Sequence, residues 1–415
     1  MRKTSQIPVD KIRARLAAGA KLATAIETPT DVLYTGELAQ LQQTVRHELL
    51  GAGTTIAPLL EDPRTTDVIV NGPGSVWKDQ GAGMEQVDIK GDPALATERE
   101  VRALAVRLAA QCGQRLDDAS PIVDGTFPSG VRLHALVPPL SANGTLISLR
   151  THRSHVLTMR ELIAGGSIPA ALGQLMEAMV LGKANVIISG ATGAGKTTFL
   201  NSMLSMVPID QRIIIIEEAA ELAPRHPHVV HLQVRRANVQ GAGEISMSEL
   251  VKAAMRMRPD RIVLGECRGA EVRDVLGALN TGHEGGWATI HANSATDVPA
   301  RLVALGALAS MNEATVAAQA AAGLDAVIHI RRNGARREVA QIGVFERKGG
   351  ELICPNAFIF KPSSPQHAIA GKEQHSNNSQ AVILMSEYGK KLCQRLGVPV
   401  PSGVVQMDPV AVLAQ

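Results

Sequence analysis

Residues 185–200 read NVIISGATGAGKTTFL: an apolar run, a glycine-rich turn and the opening of a helix, and no other stretch restricts the fold as tightly. The run 186–188 is what a strand covered on both faces requires. Gly190, Gly195, Lys196 and Thr197 then fill the spacing G-x-x-x-x-G-K-[ST]. Glycines let backbone N–H groups curl round an anion, and a helix beginning near Lys196 directs its positive end at the same point. Gly190, Ala191, Thr192, Gly193, Ala194, Gly195, Lys196, Thr197 and Thr198 are therefore read as a phosphate cradle. In it Lys196 reaches the β/γ-phosphates and the Thr197 hydroxyl ligates Mg²⁺.

The following segments supply the neighbours a parallel strand needs. Residues 212–218 (RIIIIEE), 229–234, 261–266 (RIVLGE) and 287–291 read as strands. Between and after them, helices are expected over 246–258, opened by a capping box of Ser246 with Glu249, over 271–279 and through 298–322. This alternation builds a mostly parallel sheet with helices on both faces, and ligands bind beyond the carboxyl ends of its strands. Strands return over 325–360.

Upstream the pattern differs. Residues 11–20 and 38–50 have helical periodicity, 66–71 and 74–78 read as strands about NGPG, and 98–112 carries Val101, Leu104, Ala105, Leu108 and Ala109 on one helical face. Strands follow at 130–137 and 145–150. The expected organisation is an N-terminal helical region (1–55), an α/β domain (56–152), a linker (153–168), an α/β P-loop domain (169–360) and a C-terminal linker and tail (361–415). Within that tail, 361–380 reads as a polar linker and about 381–395 as a short helix.

Composition narrows the function. Aromatic residues are only 2% of the chain, which argues against base stacking as a main activity, and a net charge of +3 is too small to demand nucleic acid. No run approaches the ~18 apolar residues of a membrane span, and the start lacks a signal peptide's apolar core, so a cytoplasmic location is expected. Cys112, Cys267, Cys354 and Cys393 lie far apart without a C-x-x-C, which favours reduced thiols over zinc or disulfides.

Phosphoryl transfer to water needs a metal, a carboxylate beside it, a group that orients the water and positive charge on the γ-phosphate. Glu266 ends an apolar strand, where an idle carboxylate is costly, and fits the acid beside Mg²⁺. Glu217, with Glu218 next to it, ends the neighbouring strand and is read as polarising the water. His291 shares a strand face with Thr289 and is placed to contact the γ-phosphate or report its loss. A histidine after an apolar strand is ordinarily structural; its company here argues for function. His283, in TGHEGG, is left without a role. Arg235, Arg236, Arg256, Arg258 and Arg268 are numerous near these strands, and each alone reads as solvated surface.

Together the motifs resemble the bacterial type II/IV secretion ATPases, most closely the CpaF/TadA branch that powers tight-adherence (Flp-type) pili. The resemblance covers about residues 60–360 through DVIVNGP, RLHALVPPL, ISLR, GATGAGKTT, IIIIEEAAEL, EISMSELVKAAMRMRPDRIVLGECRG and TGHEGGWATIHANS. It implies a cytoplasmic homo-hexamer at the inner face of the membrane, each subunit pairing an N-terminal α/β domain with a RecA-like motor domain that binds ATP and Mg²⁺. The implied work is pilus assembly or secretion with inner-membrane platform proteins, membrane association being peripheral and through those partners, and no sequence-specific nucleic acid. A DNA-translocating RecA-like ATPase in conjugal transfer is the alternative. By resemblance Glu217 is the catalytic glutamate, Glu266 the Walker B glutamate, and His291 the histidine-box residue. Arg235 matches an arginine after the acidic box, while Arg132 and Arg150 match positions that approach the γ-phosphate when domains close. The chain departs from the pattern in reading EE where relatives have ED, in His134 where asparagine is usual, in its tail beyond 361, and in lacking a four-cysteine zinc element.

Overall fold

The structure is a computed structural model, and it describes residues 51–81, 83–89, 91–151, 156–235, 243–334, 336–361 and 382–408. The helices expected over 11–20 and 38–50, and the linker over 361–380 apart from residue 361, lie outside the described residues. The chain divides into two compact units, Met1–Ser154 and His155–Gln415.

In the first unit, α1 (Gly53–Glu61) precedes β1 (Asp67–Asn71), β2 (Val76–Asp79) and β3 (Met84–Gln86); α2 (Glu98–Gln111) and then β4 (Ile122–Thr126), β5 (Arg132–Leu136) and β6 (Leu146–Arg150) follow. The six strands make one antiparallel sheet in the order β3-β2-β1-β6-β5-β4. The Thr97 hydroxyl caps α2 on the Glu100 amide, and the buried stripe of α2 is Val101, Leu104, Ala105, Leu108 and Ala109, as its periodicity indicated. That stripe packs on Val68, Val123, Leu133 and Leu149 from alternate positions of the sheet.

The second unit opens with α3 (Met159–Ala164) and α4 (Gly173–Leu181). Next come β7 (Val186–Ser189), α5 (Lys196–Leu204), β8 (Ile213–Glu217), β9 (Val229–Gln233), α6 (Met247–Ala254), β10 (Arg261–Leu264), α7 (Val272–Leu279), β11 (Trp287–Ile290), α8 (Val298–Leu308) and α9 (Glu313–Gly323). The chain ends with β12 (Ala326–Asn333), β13 (Arg336–Val344), the small hairpin β14 (Glu346–Lys348) and β15 (Glu351–Ile353), β16 (Asn356–Lys361), β17 (Val382–Met385), α10 (Glu387–Arg395) and β18 (Val404–Gln406).

A ten-stranded sheet runs β18-β17-β16-β13-β12-β7-β11-β10-β8-β9. From β12 to β9 every pairing is parallel. The apolar runs are continuous because both faces are covered: Val186, Ile188, Ile213, Ile215 and Val263 enter one core with α4 and α5, while Ile187, Ile214, Ile216, Ile262 and Leu264 enter the other with α6 to α9. The phosphate-loop strand β7 therefore sits inside the sheet, and its C-terminal end opens at the same edge as those of β8, β10 and β11.

Local expectations differ from the structure at several points. The segment read as a helix from about 381 begins instead as β17, because VILM pairs antiparallel with β16, and only after the Ser386 cap does α10 start. The sequence beyond 361 is thus not only linker and tail: β17 and β18 extend the sheet. The linker expected over 153–168 contains helix α3, opened by a capping box of Thr158 with Glu161. Strands β3 and β4 and helix α1 were also not expected, being short, polar or exposed in pattern, and in α1 interrupted by Pro58.

Candidate active site

Gly190 adopts φ +153 and a Cβ there would meet the Ile330 carbonyl at 2.4 Å, so the first loop position accepts no side chain. Gly195, at φ +94, turns the chain into α5 from a left-handed conformation that other residues adopt only under strain. Ala194 N–H donates to the Ala191 carbonyl at 3.2 Å and closes the turn.

Lys196 is nearly fully buried. Its Nζ donates to the carbonyls of Gly190 (2.9 Å) and Ala191 (3.1 Å) and stands 3.4 Å from His291 Nδ1. Burial pulls its pKa below the ordinary lysine value, Glu266 and Glu221 oppose that drop, and Arg268 adds to it. His291, one residue past β11, brings Nε2 within 2.8 Å of Glu266 Oε1. That oxygen is buried, and the close His291 contact lies outside hydrogen-bond geometry. The other carboxylate oxygen accepts from Arg268 Nη2 at 2.7 Å, and Arg268 Nη1 lies 3.6 Å from Glu218. Burial is the largest influence on Glu266 and opposes its charge, but Arg268, His291 and Lys196 together outweigh it and hold the carboxyl below its usual pKa. The His291 pKa is lowered, first by burial and then by Lys196, which favours a neutral imidazole.

Glu217 is 5% exposed at the end of β8. Its Oε1 accepts the amides of Glu221 (3.1 Å) and Leu222 (3.0 Å), and its Cγ would lie 2.7 Å from a Cβ on Gly265, whose own Cβ-less backbone allows the fit. The carboxylate thus pins the turn after β8, and this turn carries Glu221 to the Thr197 hydroxyl, 3.5 Å from Glu221 Oε2. Glu221 is the site acid that the sequence did not reveal. A loop carboxylate has no periodicity, and its only signal is the recurrence of acids in EEAAEL.

Other sequence candidates fall elsewhere. Arg235 bridges Ile245 across the β9–α6 connection and its Nε donates to the Gly243 carbonyl. Of the five arginines noted near these strands, Arg268 is the one that joins the cluster; Arg236 is outside the described residues. His283, in the turn before β11, belongs to the opposite end of the sheet, with Nδ1 buried and unpartnered. Arg132 and Arg150 are cross-strand neighbours in the first unit, and Arg150 Nε donates to Asp67 at 3.1 Å. All four cysteines are free, and among the described residues no cluster of His, Cys, Asp and Glu suits a protein-only metal cage.

A glycine turn at a helix N-terminus, a buried lysine, a hydroxyl with an acid beside it and a buried carboxylate oxygen with no hydrogen bond suit a nucleoside triphosphate with a hard cation. The fold and this site define a P-loop ATP hydrolase on a RecA-like sheet. The profile of the type II/IV secretion system protein family matches residues 51–354, and the chain belongs to that family. A Mycobacterium tuberculosis protein named for conjugal transfer is 48% identical over 312 residues, covering 74% of this chain and 87% of its own. Conjugal transfer protein TrbB of Rhizobium radiobacter is 30% identical over 298 residues (70% and 86%), and VirB11 of the Brucella suis type IV secretion system is 30% identical over 265 residues (58% and 72%). Among solved structures, the pilus retraction motor PilT with ADP bound aligns at TM-score 0.49 and 20% identity, covering 72% of this chain and 80% of that one.

Proposed function

We propose that this chain is a homo-hexameric motor that hydrolyses ATP to drive a secretion or pilus-assembly machine, of the Tad/Flp kind, at the inner face of the cytoplasmic membrane. The observation that carries the reading is the convergence of Lys196, Thr197, Glu221, Glu266 and His291 on one glycine turn. Lys196 exchanges its loop carbonyls for the β/γ-phosphates. Thr197 and Glu266 would hold Mg²⁺, which supplies neutralising charge on the phosphates.

Glu221 orients the attacking water and takes its proton as the new P–O bond forms and the bond to the β-phosphate oxygen breaks, while Glu217 keeps the Glu221 turn in place. His291 links the lysine to Glu266 and is placed to register loss of the γ-phosphate. Arg132, Arg150 and Arg235 are proposed to add positive charge when neighbouring parts of the assembly close, which couples cleavage to movement. Membrane association runs through platform proteins; among the described residues no helix is long and apolar enough to cross a membrane.

Phosphate release from ATP by the full chain tests this reading: Lys196→Ala is expected to abolish turnover, and wild-type turnover in that variant refutes it. The names of the relatives favour a second reading, a motor for conjugal transfer that moves DNA. Hydrolysis stimulated by duplex DNA, with a steep fall as salt rises, selects it; indifference to DNA selects the protein-moving reading.

A further inference from the structure

Strands β12 and β13 lean on the outside of the phosphate loop at three of its glycines. The Ile330 carbonyl fills the space beside Gly190, Arg337 Cδ stands where a Cβ on Gly195 would be 2.9 Å away, and Arg337 Nε donates to the Gly193 carbonyl at 3.3 Å. Antiparallel pairing of Arg332 with Arg337 and Ile330 with Val339 ties both contacts to one ladder, and Val339 N–H is itself anchored on the Ser167 carbonyl. A trans peptide points its C=O and the following N–H in opposite directions. Holding the Gly193 carbonyl from outside therefore turns the Ala194 N–H inward, where it meets the Ala191 carbonyl that Lys196 also engages. That interior is the volume a phosphate enters, and Ala191 is the acceptor it replaces.

We propose that Arg337 is a positioning residue for nucleotide binding: from the outer wall of the loop it sets the Gly193–Ala194 peptide so that Ala194 N–H faces the phosphates, and its charge adds to the attraction of an anion. This deepens the ATP reading and rests on it. The contact is made to the loop and not to the reacting phosphate, so it stabilises the complexes of ADP and ATP and the transition state alike. Uniform binding of that sort appears in KM and leaves kcat alone.

The experiment measures affinity of the full chain for fluorescent methylanthraniloyl-ADP, and kcat and KM for ATP. Arg337→Ala is expected to weaken nucleotide affinity about five- to tenfold, less than the full worth of one charge-assisted hydrogen bond because that bond is made in the empty loop too, with kcat within twofold of wild type. Arg337→Lys recovers part of the affinity by keeping the charge, and Arg332→Ala, on the same ladder but hydrogen-bonded to Gly334, changes neither quantity. Unchanged affinity in Arg337→Ala, measured beside a Lys196→Ala variant that has lost binding, overturns the positioning role and leaves the ATP reading standing. A fall in kcat at unchanged affinity overturns it as well. So does a lowered melting temperature without nucleotide accompanied by wild-type affinity of the folded protein, since that pattern marks a purely structural contact.

Discussion

On the proposed roles, replacing Glu217 separates a carboxylate that builds the site from one that performs its chemistry. The Glu217 side chain is 5% exposed and accepts two backbone amides, those of Glu221 and Leu222. A hydrogen bond to a charged group contributes about 1.5–3 kcal/mol, so two set an upper range of about 3–6 kcal/mol, and water entering the vacated space recovers part of it. Glu217→Ala is therefore expected to destabilise its unit by about 3 kcal/mol, a fall in melting temperature of roughly 6–12 °C for a unit of this size.

Glu217→Gln keeps an acceptor oxygen and is expected to lose only about 1 kcal/mol and to retain turnover within about tenfold. Glu221→Gln leaves stability within about 0.5 kcal/mol but lowers kcat by about 10²–10⁴, the range for a lost general base. The assay is thermal unfolding paired with steady-state phosphate release on the same preparations. If Glu217→Gln melts like wild type and loses all turnover while Glu221→Gln remains active, the division of labour argued here is wrong and Glu217 is the acid that meets the water.

Two further outcomes follow from the geometry. His329 is buried, hydrogen-bonded to Ser189 at 2.9 Å, and burial lowers its pKa to about 4. The unfolded chain binds that proton first, so stability is full above about pH 6.5 and falls as pH drops towards 4, by about 2 kcal/mol at pH 5; urea midpoints at pH 7 and 5 should show a smaller loss in His329→Gln than in wild type. Gly195→Ala forces a side chain onto φ +94 and against Arg337. A cost of about 1–3 kcal/mol in melting experiments and at least a tenfold loss of ADP affinity are expected.

The parts of the molecule that declared themselves in the sequence are those where one physical demand acts on consecutive residues. Burial on both faces produced IIIIE and RIVLGE, helical burial produced the 98–111 stripe, and the phosphate turn needs its glycines at fixed offsets. What stayed hidden depends on contacts between distant segments. Glu221 is carried by a turn that Glu217 grips, and Arg337 meets Gly193 across a separation of 144 residues. Strand β17 was masked by its brevity and by the charged helix after it, and it became a strand because β16 offered an edge. Arg268 looked like one of several surface cations until the turn after β10 folded it back onto Glu266.

When the phosphates depart, the ammonium of Lys196 has the carbonyls of Gly190 and Ala191 to return to. Occupancy is then a swap of partners for that cation and not a rescue from isolation, which narrows the gap between the charged and discharged states of the pocket. A pocket that must empty itself on every turnover gains from carbonyls so placed, because the spent diphosphate can leave without stranding a buried positive charge.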